Sequence, residues 1–314
     1  MASTHLVART GRRIKLRDLH IVLTVAERGS LIKAAQELAV SPPVISKAIS
    51  ELEAELGVRL FDRDRHGAVP TAYGRALVRR SVAAFDELRQ GMSEIESLAD
   101  PTVGEVRIGG TGAMIAGLLP AVIGELRLKY PRLTVQVTQT LTTPALYDNL
   151  RNRIFDLIIG RLPTHPLDGD LVSERLFEES VSIVAGLSSP WARRRKIALA
   201  DLIGEPWLLP ERGTQVGTIV GGIFPAHGLP EPAAPVICSS IEMYWGLLAT
   251  GKFIAALPLS LLTFAIQRNT IKVLPIKVKT RPAPVGIVTL RNRTLSPGAG
   301  VFIEHAREFS RQLR

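Results

Sequence analysis

SLIKAAQELAVSPPVISKAISELEAELG, residues 30–57, reads as two short helices separated by a tight turn. Leu31, Ala34, Ala35 and Leu38 recur at helical spacing, and Ser30 stands where an N-cap is expected. The second helix opens at Ser41-Pro42-Pro43. Proline costs little there because first-turn N–H groups have no intrahelical partner, and Ser41 is placed to accept from the remaining ones. Its apolar stripe is Ile45, Ile49, Leu52 and Leu56, closed by Gly57. Just upstream, Leu19, Val22, Leu23 and Ala26 predict a further helix that ends at Gly29.

The face of residues 42–57 opposite the stripe carries Pro43, Ser46, Lys47 and Ser50. These are small or basic groups, suited to base edges and phosphates. Three helices with such a face describe a helix-turn-helix, although a plain three-helix bundle with a solvated face has the same periodicity. The segment from Leu60 to Thr71 then reads as a basic hairpin with Gly67 near its tip, a wing able to reach phosphate or a minor groove. The candidate DNA contacts are Ser30, Ser41, Pro42, Pro43, Ser46, Lys47 and Ser50, with Arg63, Arg65 and His66 from the wing.

Ser30-Leu31-x-x-Ala34-Ala35, Ser41-x-Pro43-x-x-Ser46, Ile49-x-x-Leu52-Glu53, Leu56-Gly57, Leu60-Phe61-x-Arg63 and Thr71-x-x-Gly74 together resemble the N-terminal signature of LysR-type transcriptional regulators. Three positions depart from that pattern. Pro42 stands where the family usually has Gln, His66 beside Arg65 where it has a wing-tip Arg, and Pro70 where it has Leu. The resemblance implies double-stranded operator DNA as a partner, a small-molecule effector and, for an activator, RNA polymerase.

From Ala72 to Ala99 the only glycines are Gly74 and Gly91, and there is no proline. Val78, Ser81, Phe85, Leu88, Met92, Ile95 and Ala99 alternate at steps of 3 and 4. This heptad spacing predicts a rod about 40 Å long. It either pairs with a second copy or packs on its own domain. Pairing suits a helix-turn-helix that reads two half-sites, and the resemblance extends this to a homodimer or homotetramer.

Beyond Asp100-Pro101-Thr102 the pattern changes to alternating strands and helices. Strands are expected at 105–109, 133–138, 156–160, 181–185, 207–210, 236–238, 253–257 and 285–290. A helix of about fifteen residues should follow Gly112, another spans 144–153, and a last one spans 301–311. The alternation predicts mostly parallel, doubly wound sheets in two lobes joined by two crossovers. Asp156-Leu157-x-Ile159 and Gly251-x-x-Ile254-x-x-Leu257-Pro258 resemble the effector domain of the same family, which is similar to periplasmic binding proteins. The expected organisation is a winged helix-turn-helix over 15–72, a linker helix over 73–100, and an effector domain over 103–314. Its first lobe covers about 103–178 and 284–314, its second about 179–283.

Ligands of α/β lobes bind beyond the carboxyl ends of the strands. The candidate effector contacts are therefore Thr111 and Gly112 at the glycine turn, where a helix N-terminus favours an anion, Thr142 and Thr143 after the second strand, and Arg161. Arg212, Thr214, Ser239 and Ser240 are expected to close from the second lobe. The resemblance points to an organic acid or a sugar metabolite.

Other classes fit poorly. Gly110-x-Gly112-x-x-Ile115 lacks the third glycine of a dinucleotide fingerprint. Gly112-x-x-x-x-Gly117 is followed by Leu118 rather than the Lys of a P-loop, and no G-x-S-x-G elbow occurs. Neither an enzyme nor a cofactor is expected, and a bare DNA-compacting protein would leave residues 103–314 unexplained. The six histidines lack metal-ligand spacing. Cys238, the single cysteine, is expected to be a buried inert thiol in a reducing compartment. Arg12-Arg13 precedes an apolar stretch broken by Glu27-Arg28, so it is read as the approach to a helix of a cytoplasmic protein, with no membrane partner.

The net charge of +10 is unevenly placed. Residues 1–80 carry 14 Lys+Arg against 8 Asp+Glu, residues 81–100 carry 1 against 5, and residues 101–314 carry 24 against 16. The N-terminal excess agrees with phosphate binding.

The wing departure yields a prediction. An imidazole with a reference pKa of about 6.5 is mostly neutral at pH 7.5. Arg65→Ala should therefore weaken DNA binding more than His66→Ala at neutral pH, with the gap narrowing near pH 6. Equal losses at both pH values, measured by fluorescence anisotropy, would contradict it.

Overall fold

Three helices, α1 (Leu16–Arg28), α2 (Leu31–Glu37) and α3 (Pro42–Leu56), open the computed structural model, which describes residues 14–64, 67–100, 102–140, 142–163, 165–264 and 269–311. The chain divides into two compact units, Met1–Gly91 and Met92–Arg314. In the first unit α1 stops where Gly29 turns left-handed, its N–H donating to the Val25 carbonyl at 2.9 Å. Ser30 then caps α2, its Oγ accepting from Lys33 N–H at 3.5 Å.

The core joins Ile21, Val22, Val25, Ala34, Ala35, Ile45, Ile49 and Leu52 to Leu60, Phe61 and Ala68 of the following segment. Two expectations shift. In α1, Ile21 and Val25 are buried while Leu19 and Leu23 are only half-buried. The hairpin, as well as α2 and α3, packs on α1 and turns its inward face. In α3, Leu56 is 38% exposed. The end of that helix is anchored instead by Glu53, whose Oε1 accepts from Leu60 N–H at 2.7 Å and Phe61 N–H at 3.2 Å.

The hairpin pairs β1 (Phe61–Asp64) with β2 (Gly67–Pro70) in antiparallel register, Phe61 opposite Pro70 and Asp64 opposite Gly67. Gly67 has φ +146° and lies so close to α1 that a Cβ would fall 2.3 Å from the Gly29 carbonyl oxygen. Ala68 N–H donates to that oxygen at 2.8 Å, tying the wing to the end of α1. Thr71 links the wing to α4 (Ala72–Ala99): its Oγ1 accepts from Gly74 N–H at 3.1 Å and donates to the Arg59 carbonyl at 2.7 Å. Along α4, Ser81 is buried and Val78 and Phe85 are half-buried, but Leu88, Met92, Ile95 and Ala99 are exposed.

The second unit contains two five-stranded sheets. One has the order β4 (Arg132–Gln139), β3 (Val103–Gly110), β5 (Leu157–Arg161), β12 (Ala283–Leu290), β6 (Leu171–Glu179). The other has the order β11 (Ile271–Val273), β7 (Val181–Gly186), β10 (Ile254–Pro258), β8 (Trp207–Leu209), β9 (Val236–Ile237). Each sheet is half parallel: β3 runs parallel to β4 and β5, and β8 parallel to β9 and β10, whereas β12 and β7 lie antiparallel to both neighbours. The antiparallel strands come from the two crossovers. The chain leaves the first sheet at Glu179, enters the second at Val181, and returns from Val273 to Ala283.

The edge strands β6 and β11 have no counterpart in the sequence reading. Leu171–Glu179 is rich in charge and its pairing with β12 shifts register between Val285 and Gly286, so period-2 alternation is lost. The helix expected after Gly112 is also divided, into α5 (Gly112–Ala116) and α6 (Leu118–Lys129), because Gly117 (φ −104°, ψ −85°) leaves the helical region. The remaining helices are α7 (Thr143–Arg151), α8 (Gln215–Ala226), α9 (Ile241–Ala249), α10 (Leu259–Phe264) and α11 (Pro297–Arg311). No helix among the described residues is long and apolar enough to cross a membrane.

Asp156, one of the landmarks singled out above, is a structural carboxylate. It is fully buried, with Oδ1 2.9 Å from Arg107 and 2.6 Å from Arg293, while Oδ2 accepts the Arg107 backbone N–H at 2.8 Å. Arg293 also donates to the Phe155 carbonyl at 2.6 Å. Burial pushes this carboxyl up, but its hydrogen bonds from Arg107 and the two guanidinium charges outweigh burial and hold it below the ordinary range. Asp156→Asn leaves two arginines without their counter-charge and should cost about 3–5 kcal/mol in urea unfolding at pH 7. Because the folded-state pKa is depressed, the carboxylate stabilises fully above the unfolded value of about 3.9 and its contribution is lost as pH falls through the folded one. The gap between wild type and variant should accordingly shrink in acid. Equal stability at pH 7 would reject this role.

Candidate functional site

On α3 the two prolines occupy the first helical positions and Ser41 precedes them. The Ser41 hydroxyl makes no cap hydrogen bond, contrary to expectation. Prolines at the first two positions remove two of the N–H donors, and Val44 N–H turns to the Ser41 carbonyl at 3.0 Å. Ser41, Pro42, Pro43, Lys47 and Ser50 are exposed on one side of the helix start, and Ser46 is half-buried. Lys47 is the open cation of this face: its side chain is 77% exposed and only loosely opposed by Glu51 at 3.7 Å.

Arg63 on β1 reaches back to α3. It donates to Ser46 Oγ at 3.4 Å and approaches Glu53 at 3.5 Å, so wing and helix present one continuous polar edge. Ser30 is spent largely on capping α2. Arg65 and His66 lie outside the described residues.

In the second unit a cavity of about 750 Å³ lies between the two sheets. Of the candidate effector contacts, Thr111, Gly112, Thr142, Thr143, Arg161, Thr214 and Ser239 line it. Arg212 and Ser240 do not. Arg212 is turned outward onto Glu231 at 2.8 Å, and Ser240 caps α9 by accepting from Met243 N–H at 3.2 Å. Thr142 and Thr214 cap α7 and α8, accepting from Ala145 N–H at 3.4 Å and Gly217 N–H at 2.9 Å. Thr111 makes no such cap.

The glycine turn serves packing. A Cβ on Gly109 would fall 2.4 Å from the buried Phe155 ring. The helix that begins at Gly112 has only five residues, too few aligned peptide dipoles for the anion attraction expected of it. Arg161 is the buried cation of this wall. Its side chain is 7% exposed, Nε donates to Glu179 Oε2 at 2.9 Å, and Nη1 is buried without a hydrogen-bond partner. Glu179 is itself fully buried, and its Oε1 accepts from the N–H (3.3 Å) and hydroxyl of Ser260 on α10.

Residues beyond the sequence reading complete the wall, among them Gln139, Tyr147, His165, Gln215 and Tyr244. Gln139 ends β4 at the carboxyl edge, a position the strand rule could have reached. The tyrosines come from helix faces and carried no signal. Burial pushes the Tyr147 and Tyr244 hydroxyls above the usual range, so both stay neutral donors. Cys238 also lines the cavity and is half-buried rather than buried. Burial raises its pKa, so at neutral pH it is a thiol and a weak nucleophile. No group of three His, Cys, Asp or Glu among the described residues can hold a metal ion.

Two family models cover this architecture. Residues 16–75 match the bacterial regulatory helix-turn-helix protein model of the lysR family, and residues 99–311 match the LysR substrate binding domain. The chain belongs to the LysR family. It is a DNA-binding transcriptional regulator with an effector-binding domain, and its relatives are regulators, not enzymes. It is 29% identical over 288 residues to the HTH-type transcriptional regulator GbpR of Azospirillum brasilense, covering 91% of this chain and 84% of GbpR. It is also 29% identical to the transcriptional dual regulator GltC of Bacillus subtilis, covering 96% of this chain and 99% of GltC. Full-length CbnR, solved with its target DNA, has the same fold at 23% identity and a TM-score of 0.65, over 94% of this chain and 99% of CbnR.

Lys47→Ala should weaken binding of the regulator to a promoter fragment by about 1–3 kcal/mol if Lys47 reads a base. If it touches only phosphate, the loss is uniform across sequences and the salt slope falls by about one. Unchanged binding to every duplex tested would remove Lys47 from the interface.

Proposed function

We infer that the regulator responds to a small organic anion held between the lobes. The observation that carries this is the buried, unpartnered Nη1 of Arg161 in the wall of the cavity. A buried guanidinium nitrogen without an acceptor is costly, and a carboxylate or phosphate oxygen would satisfy it in fork geometry. Ala113, Pro144, Tyr147, Ile241 and Leu257 supply an apolar wall for the body of the ligand, while Thr111, Gln139 and Ser239 offer hydroxyl or amide partners. An organic acid, or an acidic sugar, fits both.

Transmission follows from Glu179. It holds Arg161 of one sheet and Ser260 beyond β10 of the other, at the first crossover. An anion on Arg161 competes for the charge that steadies Glu179 and shifts the balance between lobe arrangements. For DNA, Ser41, Pro42, Pro43, Ser46, Lys47 and Ser50 form the recognition edge, with Arg63 positioning Ser46. The exposed row of Leu88, Met92 and Ile95 at heptad spacing on α4 suits a second copy of the chain, giving a homo-oligomer that acts on two half-sites in the cytoplasm. RNA polymerase is the further partner if the regulator activates.

Thr111→Val should leave DNA binding intact while abolishing the response to effector. In a reporter strain carrying the neighbouring promoter, titration with a panel of carboxylates identifies the responding acid for the wild type. A variant that responds to that acid with wild-type affinity would show the pocket to be wrong.

A further inference from the structure

Charge is distributed differently over the two lobes. Residues 181–283 carry 11 Lys+Arg against 5 Asp+Glu, whereas residues 103–180 with 284–314 carry 13 against 11. In the first lobe the arginines are extensively paired: Arg107 and Arg293 with Asp156, Arg151 with Asp170, Arg161 with Glu179, Arg307 with Glu174. Among the described residues of the second lobe the only ion pair is Arg212 with Glu231.

The unpaired cations concentrate. Arg193, Arg194, Arg195 and Lys196 follow one another, and Lys277 and Lys279 come from the second crossover; all six are exposed. Trp191, Ile197, Ile276 and Val278, which flank them, pack into one core cluster against the same sheet. The two runs therefore flank the same core cluster, with all six cations exposed. The guanidinium of Arg194 lies over the Trp191 ring at 5.3 Å, which orders the run. Lys277 and Lys279 alternate with the inward Ile276 and Val278, and two residues of extended chain span about 6.6 Å, comparable to the step between neighbouring phosphates on a strand. Acids do not neutralise the layer. Helix α8, on the same core, has no charged residue, and the Asp201 carboxylate accepts the Ala198 N–H at 2.9 Å.

We propose that this face of the second lobe is a second, sequence-independent DNA surface that holds phosphates of a duplex. A protein partner would need an apolar centre, since protein interfaces are depleted of Lys at their core. No large apolar side chain is exposed between 190 and 202 or between 274 and 281. Protein–DNA interfaces are instead polar and strongly positive.

The test is the salt dependence of binding of the full chain to a mixed-sequence duplex of about 60 base pairs, roughly 200 Å at 3.4 Å per pair. Arg193→Ala/Arg194→Ala/Arg195→Ala/Lys196→Ala should lower the slope of log K against log[salt] by about 0.9 for each phosphate no longer neutralised. Lys277→Ala/Lys279→Ala should lower it by a smaller amount, and replacing the three arginines by lysine should largely restore it. A control that removes the same charge from the first lobe, Arg127→Ala/Lys129→Ala/Arg175→Ala/Arg311→Ala, should leave the slope near wild type. All six positions of the face are exposed, so the thermal midpoint should move only by the loss of the Arg194–Trp191 stack, which the arginine-to-lysine variant separates from charge. An unchanged slope, or an equal fall in the control, overturns the proposal. So does an unchanged slope combined with lost retention on polyglutamate, which would assign the face to an acidic protein.

Discussion

Glu179 is a carboxylate with no access to solvent, placed at the last residue of β6 in one sheet and two residues before β7 of the other. A buried charge is tolerated only where partners repay its desolvation. Here they come from opposite sides of the crossover: Arg161 from the end of β5, and the Ser260 N–H and hydroxyl from the start of α10. The geometry of the cleft depends on this arrangement. It places Arg161 in the wall with its Nε committed and its Nη1 open, so the same residue that steadies the crossover lines the cavity.

Asp156 solves a similar problem differently. Two arginines and a backbone N–H saturate it, leaving nothing to offer a ligand, and it lies below the strand ends rather than in the cavity. The contrast separates two buried arginine–carboxylate groups that look alike in sequence. One is closed and holds strands together. The other is incomplete, and an incomplete buried network is where a ligand gains most by completing it.

In the first unit, the comparable constraint is the close approach of the wing to the end of α1. Gly67 admits the Gly29 carbonyl, the Ala68 N–H donates to it, and Glu53 and Thr71 fasten the two ends of the hairpin. Arg63 then has a fixed base from which to reach Ser46. The polar edge of α3 and the wing is thus fastened by the Ala68 main-chain bond and by the Glu53 and Thr71 side chains, leaving Lys47 exposed and only loosely opposed by Glu51.

Helices α1 to α3, the long α4 and most strands were legible in the sequence. Each is set by neighbours within a turn or a pleat: apolar residues at steps of 3 and 4, glycine where the chain turns left-handed, prolines where N–H groups are not needed. The carboxyl-edge rule likewise singled out Thr111, Thr142, Thr143, Arg161, Thr214 and Ser239, which line one cavity. Long-range pairing was not legible. β6 and β11 are edge strands whose pattern is masked by charge or brevity, and which cation meets which acid depends on where distant segments cross. Arg212 looked like a ligand-binding side chain and is claimed by Glu231; Arg161 looked the same and keeps a free nitrogen. Likewise the run 193–196 is plain in the sequence, but that no carboxylate folds back onto it is known only once the layer around Trp191, Ile197, Ile276 and Val278 is assembled. Local periodicity carries the elements because backbone hydrogen bonds and side-chain faces repeat over a few residues. The site was decided by tertiary structure, because desolvation and charge pairing depend on every segment that packs nearby.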